Sequence, residues 1–123
     1  MVPAEQLKNR TKQFAIRIVK LFRSLPRTED ARIMGKQVLR SGTSVAANYR
    51  ADCRARSKAE FVAKIGVVVE EADETVFWLE LLVETEIVRE SKNEESLARS
   101  QRVVSDLRCF PKHRKRQTSS LIQ

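Results

Sequence analysis

Apolar residues recur along this chain at helical spacing. Between Ala4 and Leu25, the positions Leu7, Phe14, Ile18, Leu21, Phe22 and Leu25 recur mainly at steps of three, four or seven, the signature of one helical face. A first helix is predicted over about residues 4–25, and Pro26 stops it. A second is predicted over about 29–55. Thr28 stands at its N-cap position, and Glu29 and Asp30 fall in the first turn, where the helix dipole stabilises carboxylates. Its inward face reads Ala31, Met34, Val38, Gly42, Val45, Tyr49 and Asp52/Cys53. So short a connection makes the two helices antiparallel neighbours.

The third segment carries the strongest period. Ser57-Lys58-Ala59-Glu60 has the spacing of a capping box: the Ser hydroxyl accepts the Glu60 amide, and the carboxylate reaches back to the Ser57 amide. A helix over about 58–89 then places Ile65, Ala72, Leu79 and Glu86 at heptad position a. Phe61, Val68, Thr75 and Leu82 fall at d, and Val62, Val69, Val76 and Val83 at e. Phe77, Trp78 and Leu81 lie outside this stripe, so the run FWLELLV is apolar nearly all round. Such a helix needs cover on two sides, and a monomeric bundle covers one. The pattern therefore predicts a homo-oligomer with Phe77, Trp78 and Leu81 at the interface. After the polar turn RESKNEE, a fourth helix is predicted over about 94–109, with Leu97, Val103, Val104 and Leu107 inward. Pro111 ends it, and residues 111–123 read as a disordered basic tail. The expected fold is all-α, an antiparallel up-down-up-down four-helix bundle occupying residues 1–110.

Composition agrees with long helices: 3 Gly and 3 Pro leave few turns for an all-β fold. No apolar run reaches the roughly 18 residues that cross a bilayer, and MVPAEQLKNR lacks the apolar core of a secretory signal. Cys53 and Cys109 show no CxxC spacing. A soluble, cytoplasmic protein with reduced thiols is expected.

Charge changes the picture more. The net charge is +8, and it is unevenly spread: +5 over residues 1–25, +4 over 26–56, −5 over 57–92 and +4 over 93–123. Two readings stay open. The charges can complement each other within or between subunits, or the excess cations can gather on a surface that holds a polyanion.

Catalytic constellations are missing from the sequence. The single histidine is His113, in the predicted tail, so a Ser-His-Asp or Cys-His set would need the tail folded back. There are no Glu-x-x-His pairs for a di-metal bundle. Gly42-Thr43-Ser44 lacks the lysine of a phosphate-binding loop. No enzymatic activity, metal or cofactor is expected. Gly42 inside a helix costs about 1 kcal/mol relative to Ala, which close approach of a neighbouring helix would offset. Ser44 and Asn48 stand four apart, and Asn48 can hydrogen-bond across a helix interface to fix register. Packing is the reading favoured for this patch over a ligand site.

The candidate nucleic-acid contacts are cations. Lys36, Arg40, Arg50, Arg54 and Arg56 are predicted to form a ridge on the outside of the second helix, and Lys112, Arg114, Lys115 and Arg116 a second group in the tail. Either group can instead be a solvated face. Neither is interleaved with the aromatics on which single-strand readers stack bases, so any binding would be to phosphates and largely sequence-blind.

LRSGTSVAANYR (39–50), followed by RARSKAEFVAKIGVVVEEADETVFWLELL (54–82), resembles the bacterial four-helix-bundle proteins encoded in intervening sequences of 23S ribosomal RNA genes. Arg40, Ser41, Ser44, Val45, Asn48, Ser57, Lys58, Glu60 and Phe61 match that family's pattern, over roughly residues 5–110. The resemblance implies an up-down-up-down bundle, a ring-like homopentamer and no established enzymatic activity. The family is also similar to the accessory variability proteins of diversity-generating retroelements, basic pentameric bundles that bind nucleic acid. Where many members continue Ile-Ala-Glu-Gly after the Asn, this chain has Tyr49-Arg50-Ala51-Asp52. The combined expectation is a non-enzymatic homo-oligomer that binds RNA or DNA through a basic surface; the alternative is a scaffold that docks a protein partner.

Overall fold

A computed structural model of the protein describes residues 3–88. Among the described residues there are three α-helices and no strand: α1 (Ala4–Ser24), α2 (Glu29–Asp52) and α3 (Lys58–Glu84). The predicted fourth helix over 94–109 and the tail over 111–123 lie outside them. α2 is the middle element, packed against α1 on one side and α3 on the other.

The helical periods do what their spacing implies. α1 buries Leu7, Thr11, Phe14 and Ile18, and α3 buries all of its a and d positions from Phe61 to Leu82. The four e-position valines of α3 are half-buried. Tyr49 is the largest fully buried side chain, seated with Val38, Val45, Ile65, Val68, Leu79 and Leu82. Each such side chain removed from water contributes about 1.5–3 kcal/mol.

Two different devices hold α2 against its neighbours. Toward α1 the device is absence of bulk: a Cβ on Gly42 would stand 2.9 Å from Cγ1 and Cγ2 of Ile18, and one on Gly35 would stand 2.7 Å from Leu25 Cδ1. Toward α3 it is polar. Ser41 and Thr75 are wholly buried with their hydroxyl oxygens 2.8 Å apart. Thr75 Oγ1 is also 2.8 Å from the Glu71 carbonyl, and Ser41 Oγ is 3.4 Å from that of Val38. A hydroxyl carries one proton and two lone pairs, so two of these three contacts form at a time: with Ser41 donating to Val38, Thr75 donates either across to Ser41, linking the helices, or back to Glu71 on its own helix.

Several helix ends differ from the sequence expectation, each for a local reason. Thr28 occupies the N-cap of α2 without a side-chain cap bond; its hydroxyl instead donates to Asp30, whose Oδ1 accepts the Ala31 amide at 2.8 Å. α2 ends at Asp52 rather than 55 because the chain tightens there. The Arg54 and Ala55 amides donate to carbonyls only three residues back, the bond pattern of a closing turn. Ser57 does cap α3, accepting the Glu60 amide at 3.1 Å. The return bond is shifted by one residue, since Glu60 Oε2 accepts from the Arg56 amide.

α3 stops at Glu84, five residues short of the predicted 89. Glu86 adopts φ 62. Its amide donates to the Val83 carbonyl at 2.9 Å and that of Ile87 to the Leu82 carbonyl at 3.0 Å, which together form a Schellman motif. Ile87 and Val88 then turn back against the core. Glu86 is therefore a turn residue and occupies no heptad position.

Candidate nucleic-acid interface

The predicted cationic ridge divides into three environments. Arg40 is exposed but tied down: its Nη2 donates to Glu74 Oε1 on α3 at 2.7 Å, and Nη2 and Nε donate to Gln37 Oε1 at 3.2 and 3.3 Å. Exposed pairs of this kind add at most about 1 kcal/mol, so its effect is to spend Arg40's charge on α3. Arg54 and Arg56 lie past the end of α2. Arg56 lines a cleft at that end of the bundle with Asp52, Cys53, Lys58 and Phe61.

Lys36 and Arg50 remain on the outside of α2, and cations that the sequence reading passed over join them. Lys8, Lys12 and Arg50 line an open cleft of about 640 Å³ between α1 and α2, floored by Thr43, Ala46 and Ala47. Lys36 lines a second cleft, of about 480 Å³, with Arg27, Arg32 and Ile33. Each cleft also holds one carboxylate, Glu5 in the first and Glu29 in the second. Glu5 Oε1 accepts from Lys8 Nζ at 3.3 Å on a solvated surface. The signal for these residues was present in the spacing. Lys8 and Lys12 stand four apart, as do Arg32 and Lys36, and Lys36, Thr43 and Arg50 are seven apart, so each set shares a face.

The small-residue patch separates in the same way. Gly42 is buried against Ile18, and Ser44 is half-buried. Asn48 is exposed, and its Nδ2 donates to Glu71 Oε1 on α3 at 2.6 Å. The buried polar link between helices is Ser41–Thr75, which the sequence reading overlooked because the period alone does not distinguish a buried hydroxyl from a solvated one. Phe77 is 53% exposed, while Trp78 and Leu81 are half-buried. The Phe77 and Trp78 rings meet edge to face at 5.1 Å. Lys112, Arg114, Lys115 and Arg116 lie outside the described residues.

Among the described residues Asp52 is the one perturbed acid in a buried position. It is 5% exposed, and its Oδ2 has no hydrogen-bond partner among the described residues. Burial pushes its carboxyl above the usual range; Lys64 opposes that shift and Glu71 adds to it. Among the described residues, no group of three or more His, Cys, Asp or Glu side chains is placed to hold a metal ion, and no helix is long and apolar enough to cross a membrane. The described surface can thus attract anions along α1 and α2.

Residues 5–108 match the model of the 23S rRNA-intervening sequence protein family. The chain belongs to that family. A solved structure from Bacteroides thetaiotaomicron VPI-5482, described as a protein with unknown function from the S23 ribosomal protein family, is 38% identical to it. The similarity covers 86% of this chain and 98% of that one, with a TM-score of 0.80. No curated protein matches the chain. Membership in the 23S rRNA-intervening sequence family accords with the all-α core and leaves its biochemical role open, since the solved relative carries no assigned function.

Proposed function

We propose that this protein is a non-enzymatic, homo-oligomeric helical bundle that binds RNA or DNA through a basic surface. One observation carries the reading: charge is separated by element. α3 bears Glu70, Glu71, Asp73, Glu74, Glu80 and Glu84, while the outer faces of α1 and α2 bear two clefts with three cations each. Such a surface recognises phosphates by charge, so affinity is largely sequence-blind and falls steeply with salt. The similarity of the family to accessory variability proteins, an implication of the sequence motifs, points the same way, and a pentamer, if formed, would carry about +40.

A filter-binding titration of structured RNA and of duplex DNA at two salt concentrations tests the proposal. Binding at low salt that weakens by at least an order of magnitude at high salt is expected. No binding at low salt with micromolar protein would end the reading.

A second reading, a scaffold that docks a protein partner, is favoured by a different observation. Phe77 is exposed, and the buried Nε1 of its neighbour Trp78 has no acceptor among the described residues, a surface suited to a protein contact. A stoichiometric protein partner that survives nuclease treatment in a pull-down would favour it over the first.

A further inference from the structure

We infer that the α1–α2 face grips a nucleic-acid duplex at two points, with the Lys8/Lys12/Arg50 cluster and the Arg27/Arg32/Lys36 cluster holding phosphates about 21–27 Å apart. The inference rests on the nucleic-acid reading above and specifies the form of its ligand. Both clusters open on one stripe of α2: Arg32, Lys36, Thr43, Ala47 and Arg50 recur at helical steps of four, seven, four and three. α2 is one uninterrupted helix over this stretch, so the separation is fixed. Eighteen residues from Arg32 to Arg50 make about 27 Å, and fourteen from Lys36 make about 21 Å.

The stretch between the clusters determines what fits. Thr43, Ala46 and Ala47 lie there along α2 and line the first cleft, small side chains that let a bulky ligand approach the backbone. Ile33 adds exposed apolar surface in the second cleft. Among the described residues no aromatic side chain lines either cleft, and the exposed Phe77 belongs to α3. Proteins that hold single strands stack unpaired bases on aromatics. A duplex already stacks its bases on one another and presents only phosphates and sugars. At about 3.4 Å per base pair, 27 Å corresponds to about eight base pairs of B-form duplex. Arg40 is not part of the grip, because Glu74 holds it.

The test compares three full-length variants with equal charge loss. The first is Lys8→Gln/Lys12→Gln/Arg50→Gln, the second Arg27→Gln/Arg32→Gln/Lys36→Gln, and the control Arg40→Gln/Arg54→Gln/Arg56→Gln. All change surface side chains, Lys8 half-buried and the others exposed, and circular dichroism checks that each remains helical. Fluorescence anisotropy then measures binding to hairpin duplexes of 6 and 18 base pairs, as RNA and as DNA, and to an unpaired strand of 18 nucleotides. The wild-type protein is expected to prefer the long duplex to the short one by more than the number of binding registers explains. Either cluster variant should lose about tenfold for the long duplex, lower the slope of log affinity against log salt by about two to three, and erase the length preference. The control should lose less than threefold. Equal losses in all three variants, or an unpaired strand bound as tightly as the duplex, would overturn the two-point grip while leaving nucleic-acid binding intact. Absence of any binding by the wild-type protein overturns both. Whichever duplex, RNA or DNA, shows the length preference identifies the source of the phosphates.

Discussion

A methyl group added at Gly66 would meet nothing within 4 Å, whereas one added at Gly42 would press on two carbons of Ile18, itself 1% exposed. Both glycines are helical, so replacing either with Ala gains up to about 1 kcal/mol of helix propensity. At Gly66 that gain stands, and Gly66→Ala should raise the melting temperature by several degrees. At Gly42 the overpacking cost of about 1–3 kcal/mol outweighs it, and Gly42→Ala should melt lower than the wild type. Thermal denaturation of the two single variants checks both signs at once. Asp52 offers a test in pH. Its carboxyl is raised in the folded state by burial, with Lys64 and Glu71 of α3 facing it. The stability it allows is fully present below the unfolded pKa, where the group is neutral in both states. It is lost as pH rises through the folded value. Asp52→Asn should therefore be more stable than the wild type near neutral pH and indistinguishable from it at about pH 3, below the ordinary carboxylate range. Glu60 works in the opposite direction. Lys64 and the Arg56 amide lower its pKa, so its contribution is present above the unfolded value and disappears on acidification. An Asp52→Asn difference that is constant across pH would reject the assignment.

At the scale of the element, the C-terminus of α3 shows what a helix end needs. Glu86 holds a left-handed conformation that costs a non-glycine residue about 1–2 kcal/mol, and its carboxylate sits at the negative end of the helix dipole. Ile87 folding back onto the core offsets that cost. Glu86→Gly should relieve both penalties and stabilise the fold by about 0.5–1 kcal/mol after allowing for the greater freedom of glycine when unfolded. Chemical denaturation is the measurement, and a loss of stability would contradict the Schellman assignment. The same residue explains a limit of the sequence reading. With no Gly or Asn at position 86 and no Pro nearby, the period appeared to run on to residue 89. The cores of α1, α2 and α3 were legible because burial repeats every three or four residues, and Ser57 was legible because a cap has fixed chemistry at fixed spacing. The cationic surface was only half legible. Lys36 and Arg50 were found on α2, but the partners that complete their clefts come from α1 and from the turn at Arg27, and a pattern read along one helix does not reveal which neighbour lies beside it. The pairing of Arg40 was hidden for the same reason, since Glu74 is 34 residues away in sequence.

For the whole molecule, the unsettled surface is the end of α3 around Phe77 and Trp78. A buried indole N–H without an acceptor costs about 1–3 kcal/mol, and a half-exposed phenyl ring beside it adds apolar surface in contact with water. Two covers are physically available: residues 89–123 of the same chain, or another copy. They differ in how they respond to concentration. Cover from the same chain leaves the molecular mass independent of dilution, whereas cover from another copy dissociates by mass action. The proposed homo-oligomer therefore predicts that light scattering gives several times the 14.1 kDa chain mass and that the mass falls on dilution or in Phe77→Glu, which places a charge in the contact. Trp78 is the only tryptophan in the chain, so its fluorescence reports on the same event. Emission should shift to the red as the mass falls, because the indole passes from an apolar contact into water. A single-chain mass at every concentration, with blue emission unchanged in Phe77→Glu, would remove the oligomer and assign the cover to the chain itself. The duplex grip on α1 and α2 would survive that result, since its two clusters lie on the helices of one protomer.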